Sequence, residues 1–170
     1  MKILIAYFSL SGNTEWLAKE IGNQIETVDC HQIELADPNP AKGNWAVFWY
    51  GFKTIFNQSM NIKSDNLDLS EYDLVLIGMP IWTDNVPPPI RAFLKKHHSE
   101  LSMVSVGIFA TYGGDYKKFF ENVKQRLPNL TIKGTLAIPT TDGEWKNHVI
   151  GQILDFLTEV LKKNIWISSH

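Results

Sequence analysis

At 170 residues with 44% hydrophobic side chains, the chain is long enough to bury one core without a disulfide or metal to brace it. Sixteen basic against eighteen acidic residues leave a formal charge of −2, which supplies neither the field of a nucleic-acid binder nor the dense negative charge of a strongly acidic carrier. Cys30 is the single cysteine, so intramolecular disulfides and cysteine-rich zinc or iron–sulfur centres are excluded and a reducing compartment is expected.

Ile3 to Phe8 is short and almost continuously apolar, the pattern of a strand buried on both faces. The run is too brief for a signal peptide, and polar Ser11-Gly12-Asn13-Thr14-Glu15 stands where a small-residue cleavage site belongs. Leu17, Ile21 and Ile25 then form one stripe of a helix. Val28 to Leu35 mixes apolar and polar residues, which suits a strand at the exposed edge of a sheet. Pro38 and Pro40 end it. Residues 36 to 70 form a long connection in which the aromatic-rich stretch Trp45 to Phe56 reads as one helix.

Leu74 to Met79 is the third strand, and Ile90, Phe93 and Leu94 mark the next helix. Met103 to Ala110 is the fourth strand, followed by a helix with Tyr116, Phe119, Phe120, Val123 and Leu127 on one stripe. Leu130 to Ile138, interrupted by Lys133 and Gly134, is the fifth, and Ile150, Ile153, Leu154, Leu157, Val160 and Leu161 mark the last helix. Alternating strands and helices predict an α/β fold: a doubly wound parallel sheet with helices on both faces, in a single domain over residues 1–170. No apolar run approaches the roughly 20 residues of a membrane-spanning helix. A soluble, cytoplasmic protein with neither membrane nor nucleic-acid partner is expected.

In such a sheet, ligands bind beyond the carboxyl ends of the strands, where the strand order reverses. After the first strand comes Ser9-Leu10-Ser11-Gly12-Asn13-Thr14, leading straight into a helix. Gly12 permits a tight turn, helix N–H groups face any anion, and three hydroxyls and an amide add hydrogen bonds, so the loop reads as a phosphate cradle. Without Lys, Arg or a Gly-x-Gly-x-x-Gly pattern, it favours a monophosphate over a triphosphate or pyrophosphate. The competing reading is that Ser, Asn and Thr merely cap the helix. After the third strand comes Pro80-Ile81-Trp82-Thr83-Asp84-Asn85, and after the fourth Thr111-Tyr112-Gly113-Gly114-Asp115. Trp82 and Tyr112 either sandwich a flat ring or pack in the ordinary way.

Taken together, Ser9 to Thr14, the segment Ile77-Gly78-Met79-Pro80-Ile81-Trp82 and the segment Thr111 to Asp115 make the chain resemble the flavodoxin-like family of FMN-binding proteins. The resemblance covers nearly the whole sequence. It implies five strands in the order 2-1-3-4-5 and non-covalently bound FMN. It also implies phosphate contacts from Ser9, Leu10, Ser11, Gly12, Asn13 and Thr14. Pro80, Ile81, Trp82, Thr83 and Asn85 would lie at one edge and face of the flavin ring, and Thr111, Tyr112, Gly113, Gly114 and Asp115 on its pyrimidine side. Flavin then carries the redox chemistry and no catalytic side chain is named.

The implied role is electron transfer to a redox partner protein or a small-molecule acceptor. An NAD(P)H-dependent FMN quinone or flavin reductase and a cofactor-free interaction module of the same fold are the alternatives. The near-neutral charge departs from the acidic electron carriers, and Trp45 to Phe56 either roofs the flavin or is a buried helix. In one-electron flavodoxins a peptide beside the ring flips into a conformation needing positive φ. Here only Asp84 and Asn85 are expected to tolerate that region, since Thr83 is β-branched. His97 and His98, after Lys95 and Lys96, read as a solvated helix end, and no metal site is expected.

Overall fold

Five parallel strands hydrogen-bond in the order β2-β1-β3-β4-β5, as the resemblance implies: β1 (Ile3–Tyr7), β2 (Asp29–Gln32), β3 (Leu74–Pro80), β4 (Ser105–Tyr112) and β5 (Thr131–Pro139). The structure is a computed structural model and describes residues 1–36, 60–64, 66–114, 116–141 and 144–162. Trp45 to Phe56 and Asp115 lie outside these residues.

The continuous apolar runs of β1 and β3 follow from a sheet covered on both sides. Leu4 and Ala6 of β1, Val75, Ile77 and Met79 of β3, and Ile108 and Ala110 of β4 join one core. That core also holds Ile90 and Phe93 of α2 (Pro88–Lys96) and Phe119 and Val123 of α4 (Phe119–Arg126). Their neighbours Ile3, Ile5, Tyr7, Leu74, Leu76 and Phe109 face the other core, with Leu17 and Ile21 of α1 (Asn13–Asn23) and Ile153, Phe156 and Val160 of α5 (Ile150–Leu161). Successive strand residues point to opposite faces, so both sets must be apolar. Gly78 is paired with Phe109 across β3 and β4, and a Cβ there would stand 2.2 Å from the Phe109 ring. The glycine is where that ring lies.

Several boundaries move. β2 pairs over only four residues, all partly or well exposed, and Leu35 instead bridges antiparallel to Ile62. Ala36 N–H donates to Asn61 O at 3.0 Å and Lys63 N–H to Glu34 O at 2.9 Å, so residues 61 to 63 run beside the chain just after β2. Met103, read as strand, is 71% exposed and closes the turn after the short α3 (His98–Leu101), its N–H donating to Glu100 O. On α5, Phe156 takes the buried place that the apolar spacing gave to Ile150 and Leu154, which are 46% and 48% exposed.

His97 corrects the solvated reading of Lys95 to His98. It is 3% exposed, packs on the Phe93 ring at 4.8 Å, and its Nδ1 lies 2.8 Å from Glu100 Oε2. Residue 97 continues the buried side of α2 four positions after Phe93, and an acid one turn on makes burying the imidazole tolerable. His98 is exposed. No helix among the described residues is long and apolar enough to cross a membrane.

Candidate functional site

The strand order reverses between β1 and β3, because the chain leaves β1 for β2 on one side and returns to β3 on the other. The loops after β1, β3 and β4 leave that edge side by side. Phe8 N–H donates to Gly78 O at 3.0 Å, Ile81 N–H to Thr111 O at 2.8 Å, and Thr140 N–H to Tyr112 O at 2.8 Å. A crevice at such a point is where open α/β sheets hold ligands.

In the first loop Gly12 is the cap residue of α1 with φ 88, a left-handed conformation that glycine adopts without cost. Its N–H donates to Ser9 Oγ at 3.1 Å, which folds the loop back on itself. No side chain caps α1. The reading of Ser, Asn and Thr as mere caps is therefore not realised, and the first-turn N–H groups remain for an anion or water. Ser11 is exposed, Ser9, Leu10 and Asn13 are half-buried, and Leu10 packs against the core. Thr14 is buried, its hydroxyl 2.8 Å from that of Thr111, which is buried as well. One hydroxyl must donate to the other, so a single hydroxyl hydrogen of the pair is left to point elsewhere. The bond ties the first loop to the end of β4.

The second loop begins with half-buried Pro80 and Ile81 and then Trp82, whose ring meets Phe8 edge-on at 5.9 Å and 89°. Leu10, Leu35 and Trp82 also cover buried Met60. Residues 82 to 85 make a tight hairpin turn: Asn85 N–H donates to Trp82 O at 3.0 Å, with Thr83 at φ 50 and Asp84 at φ 55. Thr83 therefore overturns the expectation that a β-branched residue avoids this region here. A two-residue hairpin of this kind needs positive φ at both central positions. Its bonds impose the conformation: Thr83 Oγ1 donates to Trp82 O at 2.7 Å, and Asn85 Nδ2 to Thr83 O at 2.7 Å. Asn122 Nδ2 of α4 adds a third, to Asp84 O at 2.8 Å.

In the third loop the half-buried Tyr112 ring rests on that of Tyr116 at 4.2 Å. Burial first, and then Tyr116, push the Tyr112 phenol above its ordinary value. Gly113 and Gly114 are exposed, and a Cβ at either would meet nothing within 4 Å. Ser9 to Thr14, Pro80 to Asn85 and Thr111 to Gly114 thus flank one edge of the sheet. Two neighbours have no warning in the sequence pattern. Asp84 carries a buried Oδ1 with no hydrogen-bond partner. Lys146 lies over the rings of Trp16 and Trp145, at 5.1 and 5.6 Å, beside the first turn of α1. Among the described residues no three His, Cys, Asp or Glu side chains gather as metal ligands.

A family model described as Flavodoxin matches residues 2–149. No curated protein matches the chain. Among solved structures, a flavoprotein from Lactobacillus acidophilus NCFM in complex with FMN is 24% identical with a TM-score of 0.70, over 86% of this chain and 97% of that one. A protein from Bacteroides eggerthii described as a candidate flavoprotein is 27% identical with a TM-score of 0.73, over 95% and 99%. The two-electron reduced flavodoxin of Megasphaera elsdenii is 19% identical with a TM-score of 0.57, over 89% and 94%. With the family match spanning most of the chain, and the sheet order 2-1-3-4-5 beneath it, the chain belongs to the flavodoxin family.

Proposed function

We propose that this chain binds FMN non-covalently at the strand-order reversal and passes electrons through it to a redox partner protein or a small-molecule acceptor. The observation that carries the reading is the uncapped start of α1, with Gly12 at φ 88 and the hydroxyl-bearing loop Ser9 to Thr14 leading into it. That donor set is neutral and suits a monophosphate. Bound FMN supplies the redox chemistry. The residues of the chain bind and orient it. Ser9 to Thr14 hold the phosphate, Pro80 to Trp82 with Thr83 and Asn85 border one edge of the ring, and Thr111 to Gly114 border its pyrimidine side. The Thr14–Thr111 bond fixes the distance between phosphate loop and ring loop. Lys146, steadied by two tryptophans, places a positive charge near the start of α1.

Titration of purified protein with FMN and with riboflavin, followed by quenching of flavin fluorescence, tests this. FMN binds more tightly than riboflavin. Ser11→Ala, at an exposed position, weakens FMN by about tenfold and leaves riboflavin nearly unchanged, the loss of one charge-assisted bond. Thr14→Val is the poorer probe, because it strands the buried Thr111 hydroxyl. Absence of any flavin binding would instead leave a cofactor-free module of the same fold.

The near-neutral charge, unlike that of acidic electron carriers, favours a second reading, reduction of a small molecule by an FMN-dependent reductase. Steady turnover of NADH or NADPH with a quinone by the protein alone would establish it over the carrier role.

A further inference from the structure

The formal charge of −2 is not spread evenly over the molecule. Residues 1–79 hold ten Asp and Glu against five Lys and Arg, whereas residues 80–126 hold seven Lys and Arg against four Asp and Glu. Folding turns that contrast into two faces. α2 and α4 cover one side of the sheet and carry Arg91, Lys95, Lys96 and Lys124, with Lys117 and Lys118 leading into α4. Glu121 is the single acid in these two helices. α1 and α5 cover the other side with Glu15, Glu20, Asp155 and Glu159 against Lys19, whose ammonium donates to Glu15. The amino edge of the sheet is acidic too: Glu71 and Asp73 bond Lys2, and Asp29 accepts from the Tyr72 hydroxyl.

Lys95, Lys118 and Lys124 are exposed and make no ion pair among the described residues. Their charge therefore faces solvent. The basic side is also the side that borders the second and third loops. α2 starts just after the turn at residues 82 to 85, α4 follows the third loop, and Asn122 of α4 bonds Asp84 O at 2.8 Å. We propose that the α2–α4 face is the docking surface for the redox partner, a protein that presents an acidic patch; this rests on the FMN reading above. The signs are the reverse of an acidic carrier meeting a basic partner. The field of α1, α5 and the amino edge repels an acidic protein while the lysines draw it toward the loops that border the flavin. A contact made through exposed lysines is weak and salt-sensitive, which suits a partner that must leave after each electron.

Native cytochrome c, which is basic, and partially succinylated cytochrome c, whose modified lysines end in carboxylates, serve as acceptors of opposite surface charge. Holoprotein reduced with dithionite gives two electrons per FMN, one to each of two haem irons, which pass from Fe(III) to Fe(II) while the flavin protons go to water. At about 10 mM salt the succinylated form is reduced on the order of tenfold faster than the native form, and the difference disappears near about 1 M salt, where charges are screened within about 3 Å. Combined Lys95→Gln, Lys118→Gln and Lys124→Gln removes the preference, whereas combined Glu20→Gln and Asp155→Asn keeps it. Thermal melting checks that both variants fold. Carbodiimide coupling of the FMN-free protein to the succinylated probe adds a reading that needs no turnover, with Lys95, Lys118 and Lys124 as the coupled residues. Equal rates, faster reduction of native cytochrome c, a preference that survives the triple substitution, or coupling at Lys19 and Lys162 instead would overturn the assignment. Failure of the wild-type protein to take up FMN takes down the FMN reading itself, and the coupling pattern still decides the docking face.

Discussion

Thr83 shows how far three hydrogen bonds can push a residue against its own preference. Its φ of 50 crowds a β-branched side chain, at a cost on the order of 1 to 2 kcal/mol. The turn keeps it there because Thr83 O, Thr83 Oγ1 and Asp84 O are all engaged. Asparagine adopts the left-handed region more readily without the chain entropy that glycine adds to the unfolded state. Thr83→Asn should therefore stabilise the protein by about 0.5 to 1 kcal/mol, and Thr83→Val, which keeps the branching and loses the hydroxyl bond, should destabilise it by about 1 kcal/mol. Urea denaturation of the three proteins measures both. A lower midpoint for Thr83→Asn would show that the threonine hydroxyl outweighs the strain.

At the level of elements, β3 and β4 lock together where one of them lacks a side chain. Phe109 lies over Gly78, its ring atoms 2.2 and 2.3 Å from where a Cβ would be and Tyr7 Cβ at 2.9 Å. The three residues sit in the three inner strands, each paired on both sides, so none of these strands can yield. Gly78→Ala is expected to cost about 3 kcal/mol through overpacking. Adding Phe109→Leu removes the ring edge and recovers part of that loss, so the two changes are less costly together than their sum. Thermal unfolding of both single variants and the double variant decides it; simple additivity would mean that the Phe109 ring moves aside freely. α1 shows the opposite economy. It begins without a side-chain cap at the carboxyl edge of the sheet, where a cap serving only stability would be expected.

For the molecule as a whole, charge links stability to pH with a definite sign. Cys30, Tyr7, Tyr72 and Tyr112 are held above their ordinary values, 9.0 for the thiol and 10.0 for the phenols, chiefly by burial. Lys2 and Lys19 are raised as well, by hydrogen bonds to Glu71 and Glu15. A group raised by folding contributes stability that is complete below its unfolded value and is lost as pH climbs through its folded one. All six act in the same direction, so stability should hold through neutral pH and fall from about pH 9 upward. Glu34 and Asp68, lowered by Lys63 and by Ser70, act at the acid end: their contribution is present above the usual carboxylate range and fades as pH drops below it. Tyr7 belongs to the core beside α1, and Tyr7→Phe removes its phenol. Urea midpoints at pH 7, 9 and 10 should therefore fall less steeply for Tyr7→Phe than for wild type. Parallel curves would show that Tyr7 carries none of the alkaline loss.

The order of elements, the parallel sheet and its two-sided core were legible in the chain alone, because residues Ile3 to Phe8 and Leu74 to Met79 are almost continuously apolar, as strands covered on both faces require. The position of the three loops was legible for a related reason: each follows a buried strand and leads into a helix, so its place at the carboxyl edge of the sheet follows from topology. Periodicity could not see what depends on contacts between distant residues. Glu100, one turn beyond His97, supplies the partner that lets the imidazole sit under Phe93. The Thr14–Thr111 bond joins residues 97 positions apart. Thr83 enters the left-handed region because Asn85 and, through the neighbouring Asp84, Asn122 hold the turn, against a local preference that pointed the other way. Asp84 is the sharpest case. The sequence offered it only as a residue tolerant of positive φ, and the structure buries its Oδ1 without a hydrogen-bond partner. Local pattern reports how much apolar surface a segment must hide; which polar atoms are then left without water is settled by the neighbours that hide it.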